Sequence, residues 1–322
     1  MPVWIAASER ALSDPDPLDI ADTTLMPDVE ISVPVGVNLT LLGASETEVP
    51  GEDSPEPYLQ RINVPLFASS VAAASQGGVD MITLDRDFHV QPSPEPLSAA
   101  LDGVTMAGKL AAGNARAPQI CAEVPSDPAY IREAVALLTN DRVREATVMV
   151  TLQEGDDYEA YEKAANDARA AGVQLWLQAI NPQVTAAHAD VVARIFDAVR
   201  VRNTDKHAVR AMRFALRQEG CKLRREVPTF VDIGIVISAT LQAAEERSIL
   251  ISQLNGSPLF SGFDSVVGTV YDVADAIESW AGMGAADGVI LTPASLPTDL
   301  ASILKGVLPL LSARATIEKG SN

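Results

Sequence analysis

Residues 146–179, ATVMVTLQEGDDYEAYEKAANDARAAGVQLWLQA, contain the repeating unit on which the fold prediction depends. Ala146–Leu152 and Val173–Ala179 are apolar runs of strand length. Asp157–Ala171 between them has helical spacing and is followed by Gly172, a residue type that commonly ends helices. Both strand candidates are apolar on both faces, which is typical of parallel strands covered by helices. This stretch therefore predicts a β-α-β unit.

The same alternation of strand and helix runs along most of the chain, and each strand candidate is followed by at least one helix candidate. The candidate strands are Ile31–Leu42, Val79–Leu84, Gln119–Val124, Ala146–Leu152, Val173–Ala179, Phe196–Val201, Thr229–Ser238 and Gly288–Thr292. Eight such units predict an α/β fold, the (β/α)8 barrel. A doubly wound open sheet is the alternative, but it usually carries a glycine-rich turn after its first strand. The turn here, at residues 42–45 (LGAS), lacks that pattern.

Composition excludes several classes of protein. The 322 residues include 24 Lys and Arg against 43 Asp and Glu, a formal net charge of −19. This surplus of carboxylates repels phosphate groups, so neither nucleic acid nor an anionic membrane is an expected partner. Two cysteines, Cys121 and Cys221, are too few for a disulfide framework or a four-cysteine zinc site, and a reducing cytoplasm is the expected location.

The domain organisation predicted from the sequence is simple. Residues 1–30 are rich in Asp, Pro and Ser and predict an irregular, acidic N-terminal segment. Residues 31–322 predict a single barrel domain. No apolar run reaches about 18 residues, and the N-terminus lacks the basic start of a signal peptide, so we expect neither a membrane span nor a secretory leader.

In a barrel of this kind the functional site lies at the carboxyl ends of the strands. The densest polar group there, residues 85–89 (DRDFH), has two interpretations. It is either a metal site or an ionic loop in which Arg86 pairs with a neighbouring acid and His89 lies at the surface. Since His188 and His207 both fall in predicted helices, further ligands are lacking and we predict no metal site. No residue is assigned a catalytic role. Position alone selects these further polar candidates at the strand ends: Glu123, Ser126, Thr151, Gln153, Gln178, Asn181, Arg202, Asn203, Ser238, Thr292 and Ser295.

The last fifth of the chain, Val266–Leu310, resembles the C-terminal segment of bacterial luciferase-like flavin monooxygenases. The similar branch oxidises nitrilotriacetate and related aminopolycarboxylates, organosulfur compounds and antibiotic precursors such as those of pristinamycin. The resemblance is carried by Gly268, Val273-Ala274-Asp275, Ala286-Asp287-Gly288, Leu296-Pro297, Leu300 and Pro309. It implies a cytoplasmic oxidoreductase that uses reduced FMN and oxygen on a small organic substrate. It also implies a homodimer and a separate flavin reductase as partner.

The position of a flavin follows from the predicted strand ends. Asp85, Thr151, Gln178 and Asn181 all lie at the carboxyl ends of predicted strands, where barrels bind their ligands. The ring is therefore expected near Asp85, Thr151 and Gln178, with the phosphate near Asn181. The resemblance agrees at two positions: Asp85 matches an aspartate after the second strand, and Thr151 matches a hydroxyl at the end of the fourth.

One turn departs from the pattern of the family. The family has a serine-rich turn for the phosphate after strand five, where this chain has residues 179–183 (AINPQ). Pro182 also removes an amide donor. Weak flavin binding is therefore expected unless Arg200 or Arg202 compensates. Two alternatives remain open: a barrel that has lost flavin and acts as a binding or partner subunit, and a deazaflavin-dependent reductase.

Overall fold

The structure, a computed structural model, describes residues 33–43, 62–91, 99–113, 118–140, 146–152 and 156–320. In these residues nine parallel strands form one central sheet. The strands are β1 (Val35–Asn38), β2 (Met81–Leu84), β3 (Gln119–Val124), β4 (Thr147–Thr151), β5 (Gln174–Ala179), β6 (Ala198–Val201), β7 (Thr229–Ile237), β8 (Asp264–Gly268) and β9 (Gly288–Pro293). Strands β1 to β7 pair in sequence order, β7 pairs with β9, and β9 returns to β1. The sheet therefore closes into an eight-stranded barrel, which confirms the predicted (β/α)8 fold.

Strand β8 pairs only with β7 and is not one of the eight strands that close the barrel, and the sequence did not predict it. One edge of β7 pairs with β6 through Thr229–Val231 and then with β8 through Ile233–Ile237. The other edge of β7 pairs with β9. Because β8 (DSVVG) is short and mostly half-exposed, its apolar pattern is too weak to indicate a strand. It takes the place that β6 leaves beside the carboxyl half of β7.

Helices cover the outside of the barrel. They are α1 (Val64–Gln76), α2 (Asp102–Gly113), α3 (Pro128–Asn140), α4 (Glu162–Ala170), α5 (Pro182–Ala187), α6 (Ala189–Ile195), α7 (Lys206–Lys222), α8 (Leu241–Asn255), α9 (Val270–Gly282), α10 (Thr298–Ser302) and α11 (Leu308–Gly320). None of these helices is both long and apolar enough to cross a bilayer.

Two glycines follow stretches with helical spacing, Gly172 after residues 157–171 and Gly220 after residues 204–219, so both are predicted to end helices. They behave differently in the structure. Gly172 follows the end of α4 with φ +78°, as a stop requires. Gly220 does not end α7, which continues to Lys222. A Cβ at Gly220 would lie 2.6 Å from the carbonyl oxygen of Arg225, so this glycine permits a close approach of backbone.

The inward-facing side chains form layers along the barrel axis. A central apolar layer consists of Met81, Cys121, Met149, Trp176, Ala198, Phe230 and Ile290. Within it the rings of Trp176 and Phe230 stack with their centroids 4.7 Å apart. This layer fills the barrel, as in other barrels of this size. Charged side chains lie on the side of the layer that faces the carboxyl ends of the strands. The predicted irregular segment over residues 1–30 lies outside the described residues.

Candidate functional site

Four charged side chains meet above the apolar layer, and we call them the ionic quartet: Asp85 directly after β2, Arg200 and Arg202 at the end of β6, and Asp232 within β7. Arg200 binds Asp232 through two parallel hydrogen bonds, Nε to Oδ1 at 2.7 Å and Nη2 to Oδ2 at 2.8 Å. Its remaining nitrogen, Nη1, donates to Oδ1 of Asp85 at 2.6 Å. Arg202 bridges the same two acids at 2.5 Å each. The quartet carries two positive and two negative charges and is neutral as a unit.

Burial and charge act against each other within the quartet. Arg200 and Asp232 are fully buried, whereas the Arg202 side chain is 34% exposed. Burial alone would raise the pKa of Asp85, but the charges of Arg200 and Arg202 outweigh it and hold that pKa well below its usual range. Burial likewise opposes the charge on Arg200, and its two aspartates raise its pKa above the ordinary value. Asp85 and the two arginines therefore stay ionised.

Strand β1 fixes the orientation of Asp85. The Asn38 amide donates to Oδ2 of Asp85 at 2.7 Å. The Asp85 backbone N–H donates to the Thr40 hydroxyl at 2.7 Å. Asp85 is thus held from two sides, and its carboxylate accepts three side-chain hydrogen bonds.

A second set of polar side chains lies on the neighbouring strands β3, β4 and β5, and we call it the polar row: Glu123, Thr151 and Gln178. The Thr151 hydroxyl donates to Oε1 of Glu123 at 2.5 Å. Thr151 pairs with Gln178 across β4 and β5, and Gln178 pairs with Arg200 across β5 and β6. The polar row therefore continues into the ionic quartet around the barrel mouth.

Gln178 has an unsatisfied polar atom. Its side chain is 5% exposed, and its Oε1 accepts no hydrogen bond from the described residues. The Thr292 hydroxyl, near the end of β9, is also buried and has no hydrogen-bond partner among the described residues. Buried polar atoms are normally paired, so such atoms at a barrel mouth indicate a place for a polar ligand.

Two aromatic side chains from the loop between α8 and β8 lie at the quartet. The Arg202 guanidinium stands 5.4 Å from the centre of the Phe263 ring, and that ring meets Phe260 edge to face at 5.7 Å. Phe260 itself packs against Gly234 on β7, where a Cβ would come within 2.2 Å of the ring. Phe260 has φ +56°, a left-handed conformation that is rare for a bulky residue. The loop is thus fitted closely to the barrel mouth.

The structure brings together three of the four residues predicted to hold a cofactor. Asp85, Thr151 and Gln178 lie at one mouth, in the quartet and the row. Asn181 lies apart from them as the exposed N-cap of α5, and its Oδ1 accepts the N–H groups of Gln183 and Val184. The binding roles of all four remain predictions.

One further interpretation made from the sequence is wrong. His89 is buried, 3% exposed, and is not a surface residue of an ionic loop. Arg200 and Arg202 contact Asp85 and Asp232, and compensation for the altered turn by either arginine stays a prediction. No cluster of three or more His, Cys, Asp or Glu in the described ranges has the arrangement of a metal site.

The two parts of a flavin, its ring and its phosphate, would meet different groups at the mouth. The turn does not fit a phosphate: Pro182 has no N–H, and the next two amides are taken by Asn181. The quartet is neutral, so it offers no unpaired cation. By contrast, the free acceptor on Gln178 suits a ring that carries an N–H donor. The mouth therefore offers one free acceptor that a ring N–H could use, and the turn lacks the hydroxyls and the Pro182 N–H that would bind a phosphate.

A cavity of about 390 Å³ opens at the opposite end of the barrel. Arg169 and Arg225 border it, and both bind Asp197. The same guanidinium groups also donate to carbonyl oxygens at the end of α6, including those of Arg194 and Phe196. These contacts are internal to the chain, and this end of a barrel ordinarily serves stability.

Comparison with solved structures supports the fold. No family model matches the chain, and no curated protein matches it by sequence. EDTA monooxygenase from Chelativorans sp. BNC1 superposes with a TM-score of 0.60 at 12% identity, over 88% of this chain and 94% of that one. A riboflavin lyase, determined with modified FMN and riboflavin, gives 0.60 at 13% identity, over 88% and 92%.

A third similar structure is the coenzyme F420-dependent tetrahydromethanopterin reductase from Methanopyrus kandleri. It gives a TM-score of 0.54 at 10% identity, over 87% of this chain and 99% of that one. At these identities the similarity concerns architecture. The chain shares with these three proteins the (β/α)8 barrel architecture.

Proposed function

We propose that this chain is a luciferase-like flavin-dependent oxidoreductase, a monooxygenase that uses reduced FMN and oxygen on a small organic substrate. The observation that supports it is the unsatisfied acceptor of Gln178, in a mouth whose charges are paired. Asp85 and Thr151 stand on either side of it in the network around the mouth, as the resemblance to that family implies. When bound, a reduced flavin would supply the electrons that activate oxygen.

The residues divide their roles in this proposal. Gln178 and Thr292 would hydrogen-bond the ring, and Thr151 would position its neighbour Glu123. The ionic quartet would give the ring a rigid floor without net charge, and Phe260 and Phe263 would exclude water above it. Asn181 would hold α5 in place and make no contact with the phosphate.

This division implies that the flavin visits the site and is not a permanent resident. We therefore propose a separate reductase that delivers reduced flavin, and a homodimer as the assembled form. Sedimentation at micromolar concentration tests the dimer. Mixing the purified chain with a flavin reductase, NADH and FMN tests the partnership, since oxygen consumption must rise above that of the reductase alone when substrate is present.

Titration with cofactors is the test of the proposed function. Purified protein should be colourless and should bind oxidised or reduced FMN reversibly, as followed by flavin fluorescence and visible absorbance under anaerobic conditions. Coenzyme F420 serves as the competing probe. Preference for F420 over FMN would replace this proposal by the deazaflavin-dependent reductase.

A flavin-free partner subunit is the second candidate, and the altered turn favours it. Because residues 179–183 lack the hydroxyls of the family's turn and Pro182 lacks an N–H, loss of flavin is chemically consistent with the chain. Failure of FMN, riboflavin and F420 to bind in either redox state would establish that alternative and overturn the enzyme.

A further inference from the structure

Glu123 differs from the other acids of the mouth in having no cationic partner. Its Oε1 accepts the Thr151 hydroxyl at 2.5 Å, and its Oε2 accepts the backbone N–H of Arg86 at 3.2 Å. Within the described residues no lysine, arginine or histidine side chain lies within ion-pair distance of its carboxylate. Asp85 and Asp232, in contrast, are each held by two guanidinium groups.

The groups that face Glu123 determine its protonation. Asp85 and Arg86 lie after β2, Arg200 lies on β6, and the buried Cys121 thiol lies below it on β3, while β4 contributes Thr151 without charge. Burial raises the pKa of Glu123, and the charge of Asp85 raises it further, whereas the Thr151 hydrogen bond and the charge of Arg200 oppose the rise and are outweighed. Burial also raises the pKa of Cys121, so that thiol stays protonated.

The remaining charges at the mouth are fixed. Arginine does not lose its proton in proteins, and each aspartate of the quartet accepts hydrogen bonds from two guanidinium groups. Of the ionisable side chains named at the mouth, Glu123 is therefore the one placed to change charge. Both of its hydrogen bonds are donated to it, so they strengthen when it ionises and it can release a proton without losing a partner.

We propose that Glu123 is the proton-exchanging catalytic residue of this mouth, giving a proton to, or taking one from, the N–H or O–H group of the molecule bound beside Gln178. In the forward direction the bond between Oε2 and hydrogen breaks, its electron pair stays on the carboxylate, and the proton forms a new bond on the ligand. The reverse step restores the acid. This inference rests on the proposed function, because the molecule concerned is the one that occupies the mouth.

The sequence position also supports this role. Glu123 stands on β3 opposite Met149 of β4, two positions above Cys121 of the apolar layer. Its carboxyl group thus lies at the boundary between the dry interior and the mouth, where a proton can be held away from bulk water and still reach a ligand. Proton transfer by a positioned carboxyl requires such contact with the reacting group.

Two measurements test the proposal. In the ligand-free protein, the carboxyl of Glu123 is titrated by NMR of ¹³C-labelled glutamate, with Glu123→Gln used to assign the signal. Its midpoint is expected above the ordinary glutamate value of about 4.3. A midpoint at or below that value overturns the proposal.

The second measurement is calorimetry of riboflavin binding in two buffers with different ionisation enthalpies. The natural chain should exchange protons on binding, and E123Q should bind riboflavin without exchange. Thr151→Val, which removes the donor to the ionised form, should raise the midpoint further and retain the exchange. Equal proton counts in the natural chain and E123Q, with binding intact, overturn this inference alone. Absence of riboflavin binding to both overturns the proposed function and the exchange with it.

Discussion

Arg200 on β6 and Asp232 on β7 form a two-point ion pair in which neither side chain is exposed, with N–O distances of 2.7 and 2.8 Å. The strands are hydrogen-bonded neighbours, so the sheet itself sets the separation of the two groups. Removing two charges from water is expensive, and such a pair is tolerated when good geometry and additional hydrogen bonds satisfy it. Arg202 and Asp85 supply those bonds. A neutral network, and not an anion-binding pocket, therefore forms the floor of the mouth.

Replacing Asp232 by alanine should destabilise the protein strongly. Arg200 would keep its hydrogen bond to Asp85 but lose both hydrogen bonds to Asp232. Its buried positive charge would then have too few negative partners. Breaking such a pair costs about 3–5 kcal/mol, measured as the free energy of unfolding in urea. Glu159→Ala, which removes the exposed ion pair with Arg194, is the control and should leave stability almost unchanged. A loss from Asp232→Ala no greater than that of the control would contradict the prediction.

Gly234 and Phe260 should behave as a coupled pair. Alanine at Gly234 would place a Cβ inside the Phe260 ring and displace the loop, which overpacks the mouth by about 1–3 kcal/mol. In a Phe260→Ala background the same change should be nearly neutral. A double-mutant cycle on the free energy of unfolding measures this, and additive effects would show that the two residues do not touch.

The altered turn predicts that the phosphate adds little to flavin binding. FMN and riboflavin should bind with dissociation constants that differ by less than about tenfold, since even one charge-assisted hydrogen bond to the phosphate would exceed that. Asn181→Ala should cost about 1 kcal/mol of stability through loss of the helix cap, with FMN affinity unchanged. Fluorescence titration gives the affinities. A strong preference for FMN that Asn181→Ala abolishes would place the phosphate at this turn.

A substitution at Gln178 should affect ligand binding and stability in opposite ways. Gln178→Leu removes a buried acceptor that has no partner, so the ligand-free protein should be as stable or more stable, by up to about 1 kcal/mol. Riboflavin binding should weaken at the same time. Thermal melting with and without riboflavin separates the two effects. Destabilisation without a change in affinity would mean that Gln178 serves the fold.

The barrel could be predicted from the sequence because each strand is a buried apolar run of the right length between helical segments. Strand β8 could not, since two valines at a half-exposed edge give too little signal. The role of Gly220 could not be predicted, because glycine both ends helices and permits close backbone contact. Here the backbone of Arg225 folds back onto Gly220 after the helix ends, and the local sequence does not indicate that contact.

The candidate site was only partly predictable. Asp85, Thr151 and Gln178 follow from their positions at strand ends, but what pairs with Asp85 depends on strands more than a hundred residues away. Asp232 was missed although it interrupts the apolar strand TFVDIGIVI. A single charge in a buried strand requires a partner, and Arg200 in AVRV is the matching signal. Reading the two together would have found the quartet.

Acid should remove the contribution of ionised Asp85 to the stability of the protein, and comparison with Asp85→Asn measures that contribution. A carboxyl whose folded pKa is lowered stabilises the protein above its unfolded pKa, and that contribution is lost as pH falls through the folded pKa. The natural chain should therefore exceed D85N in stability by about 3 kcal/mol at pH 7. This difference should hold down to about pH 4 and shrink below it, as the unfolded carboxyl of Asp85 takes up its proton first. Urea unfolding of both proteins between neutral and acid pH measures the gap. A gap that stays constant to the lowest pH at which both fold would show that Asp85 is not held ionised by Arg200 and Arg202.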